Sequence, residues 1–166
     1  MDMRSWDRMD SLHDWIDNFV TKHNDMFGGV PCPYARKAMK DKTVDIREST
    51  NIQLDLHRLL KWDDKLEAVI LHADTNLMTS EELSLHVRFW NHTAMLKDIV
   101  ALEDHPDDPE IVKGVKMNYG KGILVIVQRL SKLNQASDKL AEMGYYDDWE
   151  QENFNDVVSW RTPTPK

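Results

Sequence analysis

Met9, Leu12, Trp15, Ile16, Phe19 and Val20 recur every three or four residues with charged positions between them, which predicts an amphipathic helix over about residues 7–24, closed by Gly28-Gly29. Ala35 to Lys40 reads as a short helix. Thr43 to Glu48 then alternates apolar and polar, the pattern of a half-buried strand. Ile52, Leu56, Leu59 and Leu60 restore the helical period, with Thr50 or Asn51 as the cap. Leu66 to His72 is a short, almost continuous apolar run, as expected of a buried strand. Thr79-Ser80-Glu81-Glu82 has capping-box spacing and opens a helix through about Asn91, with Leu83, His86, Val87 and Trp90 on one face. Asp98 to Glu103 is the third strand. A stretch of about eighteen residues, His105 to Gly122, has no period, and loops of that length are functional or mobile. Ile123, Ile126, Val127, Leu130, Leu133, Ala136 and Leu140 follow a helical period to Gly144, so a helix is expected there, although residues 122–127 alone would pass for a strand.

Strands separated by helices predict an α/β fold, a small two- or three-layer sheet of about three strands with helical crossovers and parallel neighbours. A ferredoxin-like α+β arrangement is the alternative. The expected organisation is one α/β domain over residues 1–144, then an acidic, aromatic-containing tail over residues 145–166 that frays at its end and offers Trp149, Phe154 and Trp160 as docking anchors.

Composition narrows the function. A chain of 166 residues buries enough surface to fold without staples. Its single cysteine excludes an intramolecular disulfide, and Met1 to Trp6 lacks the apolar segment of a secretory signal, which points to a reducing, cytoplasmic setting. No apolar run is long enough to span a membrane. A formal net charge of −8 with scattered basic residues argues against nucleic-acid binding, whose general affinity comes from cations neutralising phosphates. The acidic stretches around residues 104–110 and 147–156 read first as solvated loops and second as a surface for a cation or a basic partner.

Candidate chemistry centres on Cys32, held between Pro31 and Pro33 after Gly28-Gly29, with Arg36 and Lys37 close behind to favour a thiolate. If the three strands run parallel, Glu48, His72 and His105 fall at or just beyond their carboxyl ends, the edge where open α/β sheets place ligands. Asp74 follows His72, and Asp107 and Asp108 follow His105. Two chemistries fit Cys32, His72, His105 and Asp107. In one, Cys32 is a nucleophile or redox thiol and a carboxylate-oriented histidine takes its proton. In the other, His72, His105 and Asp107 hold a divalent metal, zinc being favoured by nitrogen and sulfur donors. The plain alternatives are a small hydrophobe in a turn for Cys32, backbone-satisfied histidines and solvated loop acids. No His-Glu-x-x-His, paired Cys-x-x-Cys or Gly-x-Ser-x-Gly motif is present, and Gly114 to Gly122 lacks P-loop spacing. Expected partners are therefore a small molecule at a Cys/His cleft or, in the competing class, a protein partner or second copy of a non-catalytic interaction module using the tail.

Cys32-Pro33-Tyr34 resembles the start of the glutaredoxin motif, but Ala35 stands where the second cysteine would be. The helix preceding Cys32-Pro33-Tyr34-Ala35-Arg36, with Ile70-Leu71-His72 and His105-Pro106-Asp107 later in the same order, resembles a bacterial family with a Trp-led helix followed by Cys-Pro-Phe-Ala and Arg or Lys. That family has no assigned activity. The resemblance spans roughly residues 10–135 and implies that Cys32, His72, His105 and Asp107 belong to one site; the acidic run after His105 and the tail depart from it.

Overall fold

The computed structural model describes residues 11–161. Of the N-terminal helix, residues 7–10 lie outside that range. The described part is helical from Ser11 and ends at Val20 in a π-helical turn, Ile16–Val20, earlier than the apolar period suggests. Thr21 explains the stop: its N–H reaches the Ile16 carbonyl five residues back, and its hydroxyl donates to the carbonyls of Ile16 and Asp17.

The elements that follow are α1 (Ala35–Lys40), β1 (Val44–Glu48), α2 (Ile52–Leu59), β2 (Ala68–Ala73), α3 (Ser80–Ala94), β3 (Ile99–Asp104), β4 (Ile111–Val112), β5 (Val115–Lys116), β6 (Ile123–Arg129), α4 (Leu130–Glu142) and α5 (Gln151–Val157). Asn51 caps α2 by accepting from the Leu54 N–H, and Thr79 caps α3 by accepting from the Glu82 N–H. The aperiodic stretch contains the hairpin β4–β5, whose two turn residues, Lys113 and Gly114, both have positive φ, the signature of a type I′ turn.

The fold is α/β with a mixed sheet in the order β1-β2-β6-β3. β1 and β2 are parallel neighbours, whereas β6 is antiparallel to both β2 and β3. The strands β1, β2 and β3 therefore share one direction, but the last two are separated by β6. This corrects the expected helix from Ile123: residues 123–129 form the inner strand of the sheet, and helix begins only at Leu130. β6 is buried on both faces, and a fully apolar strand has no alternation to show.

Strand alternation sorts the core. Val69, Leu71, Ala73, Ile99, Ala101, Ile123, Val125 and Val127 face α2 and α3. Ile46, Ile70 and Leu124 face the other way, against Leu12, Trp15, Ile16 and Tyr119. Helices thus lie on both sides of the sheet. The exposed edge of β3 is closed by a side chain: the buried Asn91 of α3 accepts from the Ala101 N–H and donates to its carbonyl, at 2.9 and 3.0 Å.

A third, smaller cluster joins Phe27, Val112 and Val115 with Phe19, Tyr145 and Trp149. It holds residues 145–161 against the body. Tyr145 donates its hydroxyl to the Pro31 carbonyl, and the buried Arg161 guanidinium donates to Asn134, Ser137 and the Val157 carbonyl. Two of the expected docking anchors are used inside the chain: Trp149 packs edge-on to Phe27, and Phe154 packs edge-on to Tyr146. Trp160 remains exposed.

Candidate functional site

The shared direction of β1, β2 and β3 places Glu48, His72 and Asp104 at one edge of the sheet. Register sets them in a row: Glu48 is opposite His72, His72 is opposite Leu124, and Leu124 is opposite Asp104. All lie on the face covered by the N-terminal helix. His105 comes one position later, and alternation turns its ring to the opposite face, where Nε2 bonds the Met78 carbonyl at 2.9 Å and Met78 packs on the α2–α3 core. The His72 and His105 rings therefore do not converge, which corrects the expected pairing.

His105 is buried and fully engaged. Its Nδ1 accepts from the Asp107 N–H at 3.0 Å, so the bond to Met78 uses a proton on Nε2, an assignment made from the partners. The Asp107 carboxylate is exposed, 3.9 Å from Nδ1. This is the backbone-satisfied loop histidine of the plain reading. Among the described residues no group of three or more His, Cys, Asp or Glu is arranged to hold a metal ion, so the expected set of His72, His105 and Asp107 is not assembled as a metal centre.

Cys32 lies in a loop tied to the opposite end of the N-terminal helix. Its N–H donates to the Val20 carbonyl at 3.0 Å, and Pro31 beside it accepts from Tyr145. The residue is exposed. Desolvation by atoms crowding the sulfur raises the thiol pKa, and backbone N–H groups of Tyr34 and Ala35 pull it the other way. Exposure of the residue limits that desolvation, but the direction is opposite to activation. Lys37, expected to favour a thiolate, pairs instead with Asp41 at 2.7 Å.

Sequence reasoning placed Asp104 only in an acidic stretch. Asp104 Oδ2 accepts from the Tyr119 N–H at 3.0 Å, while its buried Oδ1 has no hydrogen-bond partner among the described residues. Burial pushes the carboxyl pKa up; the Tyr119 N–H, the Asn118 amide, His105 and Lys116 oppose it. The Asn118 amide nitrogen itself reaches the His105 carbonyl at 3.4 Å.

The carboxyl edge does carry a groove, lined by neither His72 nor His105. It has a volume of about 290 Å³ and runs between the start of α2 and the β2–α3 connection, with Thr50, Gln53, Met78, Glu82 and His86 on its walls. Gln53 holds His86 through its amide at 2.8 Å from Nδ1. His86, placed by the sequence on the apolar face of its helix, is a groove residue.

The outer side of α3 is the other unusual surface. Leu85, Phe89 and Leu96 are 64%, 81% and 88% exposed. Leu85 and Phe89 lie on α3, about 40° apart at about 100° per residue and opposite the core stripe of Leu83, Val87 and Ala94; Leu96 lies just beyond the helix, in the 3₁₀ turn Met95–Lys97. The signal was present in the sequence as a helix apolar on two sides.

No helix among the described residues is long and apolar enough to cross a membrane. No family model, curated protein or solved structure matches the chain.

Proposed function

We propose that the protein is a non-catalytic interaction module whose docking surface is the outer face of α3. The observation that carries this reading is the exposure of Leu85 and Phe89 on α3 and of Leu96 just beyond it, three large apolar side chains kept in water at no benefit to the fold. An aromatic anchor flanked by leucines is the composition of an interface centre. The reading also agrees with Trp149 and Phe154 packing inside the chain, which moves the docking surface from the tail to α3. A photo-reactive side chain at position 89, introduced in native cells, is expected to form a discrete adduct, with none from the exposed position of Lys132. Equal labelling from both positions, or none from either, would reject it.

A second reading is favoured by the groove beside Glu82 and His86: binding of a small polar molecule there, with Gln53 and Thr50 as further hydrogen-bonding groups. Amide chemical-shift mapping against a panel of small polar metabolites is expected to move residues 50–53 and 77–86 together. Shifts scattered elsewhere, or none, count against it.

A further inference from the structure

We infer that the chain pairs with a second copy of itself through β1, the two β1 strands lying antiparallel about a two-fold axis at Ile46 so that their four-stranded sheets join into one. The sheet has two edges and treats them differently. At β3 the Asn91 amide takes up the Ala101 N–H and carbonyl. β1, at the other edge, has β2 as its sole strand neighbour. The direction of its bonds sets what it offers outward: Thr43 accepts from the Glu67 and Ala68 N–H groups and Ser49 donates to the His72 carbonyl, so the odd-numbered residues turn their backbone polar groups towards β2. Val44 and Ile46 turn theirs away from it, and among the described residues nothing bonds those groups.

Charge selects the partner and the register. Asp45 and Arg47 share the sheet face of Val69 and Leu71, and in the single chain they form an ion pair of 2.8 Å that is open to water and worth little on its own. About an axis at Ile46, Asp45 comes opposite Arg47 of the second copy and Arg47 opposite its Asp45, at the close, non-hydrogen-bonded positions of an antiparallel ladder. Charges of alternating sign then stand at the corners of a square, each with one opposite neighbour along its own strand and another across the interface. Ile46 exchanges both of its backbone bonds with Ile46 of the second copy, and the two side chains meet at the margin of the cluster built on Leu12, Ile16 and Leu124. A slip to either neighbouring register sets Asp45 against Asp45 or Arg47 against Arg47, like charges directly opposite. One patch used against itself closes the assembly at two copies. Strands of five residues make a small contact, so the dimer dissociates on dilution.

Sedimentation equilibrium of the whole chain from about one micromolar to about one millimolar, in about 0.15 M salt to screen the net charge of −8 on each copy, tests this. The wild type is expected to pass from monomer to dimer. Asp45→Arg alone leaves only cations at the contact and Arg47→Asp alone only carboxylates; each is expected to weaken self-association at least tenfold with an unchanged circular dichroism spectrum. An equimolar mixture of the two variants is expected to dimerise again, because every cation then faces a carboxylate. A wild type monomeric throughout overturns the inference, as does a dimer indifferent to both substitutions or a mixture that stays monomeric. Cross-linking reads the same register without reversing a charge: in a Cys32→Ser background, Asp45→Cys mixed with Arg47→Cys is expected to give a disulfide-linked heterodimer on oxidation, in excess of the homodimer from either variant alone. No excess of the mixed product overturns the inference as well.

Discussion

Asp104 and Asn91 show how single polar groups are handled at the β3 edge, and with opposite results. Asn91 makes both bonds that its amide offers to Ala101 and so replaces a missing neighbouring strand. Asp104 has one oxygen satisfied by the Tyr119 N–H and one buried without a hydrogen-bond partner among the described residues. Its pKa is raised, chiefly by burial, so the fold favours the neutral acid. The sign of the pH effect follows. Below the unfolded value both states are protonated and there is no penalty; as pH rises from there through the folded value, the native state holds the proton longer and stability falls. Asp104→Asn removes that loss while keeping an acceptor for Tyr119. Urea midpoints of the variant are expected to change less than those of the wild type between about pH 4 and about pH 7, with the variant at least as stable at the upper end. A parallel pH dependence in the two proteins would exclude Asp104 as its source.

At the scale of elements, the junction before β6 depends on a missing side chain. A Cβ built on Gly122 would stand 2.9 Å from the Ala73 carbonyl oxygen, a backbone atom that cannot swing aside. Gly122→Ala is expected to cost about 1–3 kcal/mol in chemical denaturation, the usual penalty of overpacking. Gly29→Ala, with nothing within 4 Å of the added carbon, is expected to stay within about 0.5 kcal/mol of wild type. The same junction marks where the sequence was hard to read. Ile123, Ile126, Val127 and Leu130 fit a period of three to four only because every residue from 123 to 127 is apolar, as a strand buried on both faces requires. By contrast, α2, α3, β1 and β2 were legible because each buries one stripe or one compact run and because Asn51 and Thr79 mark the caps. The β4–β5 hairpin has two residues per strand, too few for a period, and only Lys113-Gly114 between Val112 and Val115 signalled it. The carboxyl-edge placement of Glu48 and His72 was also legible from strand direction. The parting of His72 from His105 was not, since it depends on whether β3 ends at residue 103 or 104, and one residue exchanges the faces.

Across the whole molecule, the loop after the N-terminal helix meets the segment after α4. Tyr145 bonds Pro31 and packs against Phe27, Tyr146 and Trp149, so the loop that carries Cys32 is held by a segment more than a hundred residues later. Tyr145→Phe keeps the ring contacts and removes only the hydroxyl bond. It is expected to cost about 1 kcal/mol and to speed amide exchange over residues 24–35, including the Cys32 N–H that bonds Val20. Unchanged exchange there, read by mass spectrometry, would show that the loop is fixed by its prolines alone.

The position of β6 between β2 and β3 has a consequence for biosynthesis. Both of those strands find a neighbour in a segment made after them, and β3 is joined to the sheet only through it. A nascent polypeptide that has not yet extruded Arg129 from the ribosome therefore holds two apolar strands with open edges, the condition under which unfinished chains stick to one another or recruit a chaperone.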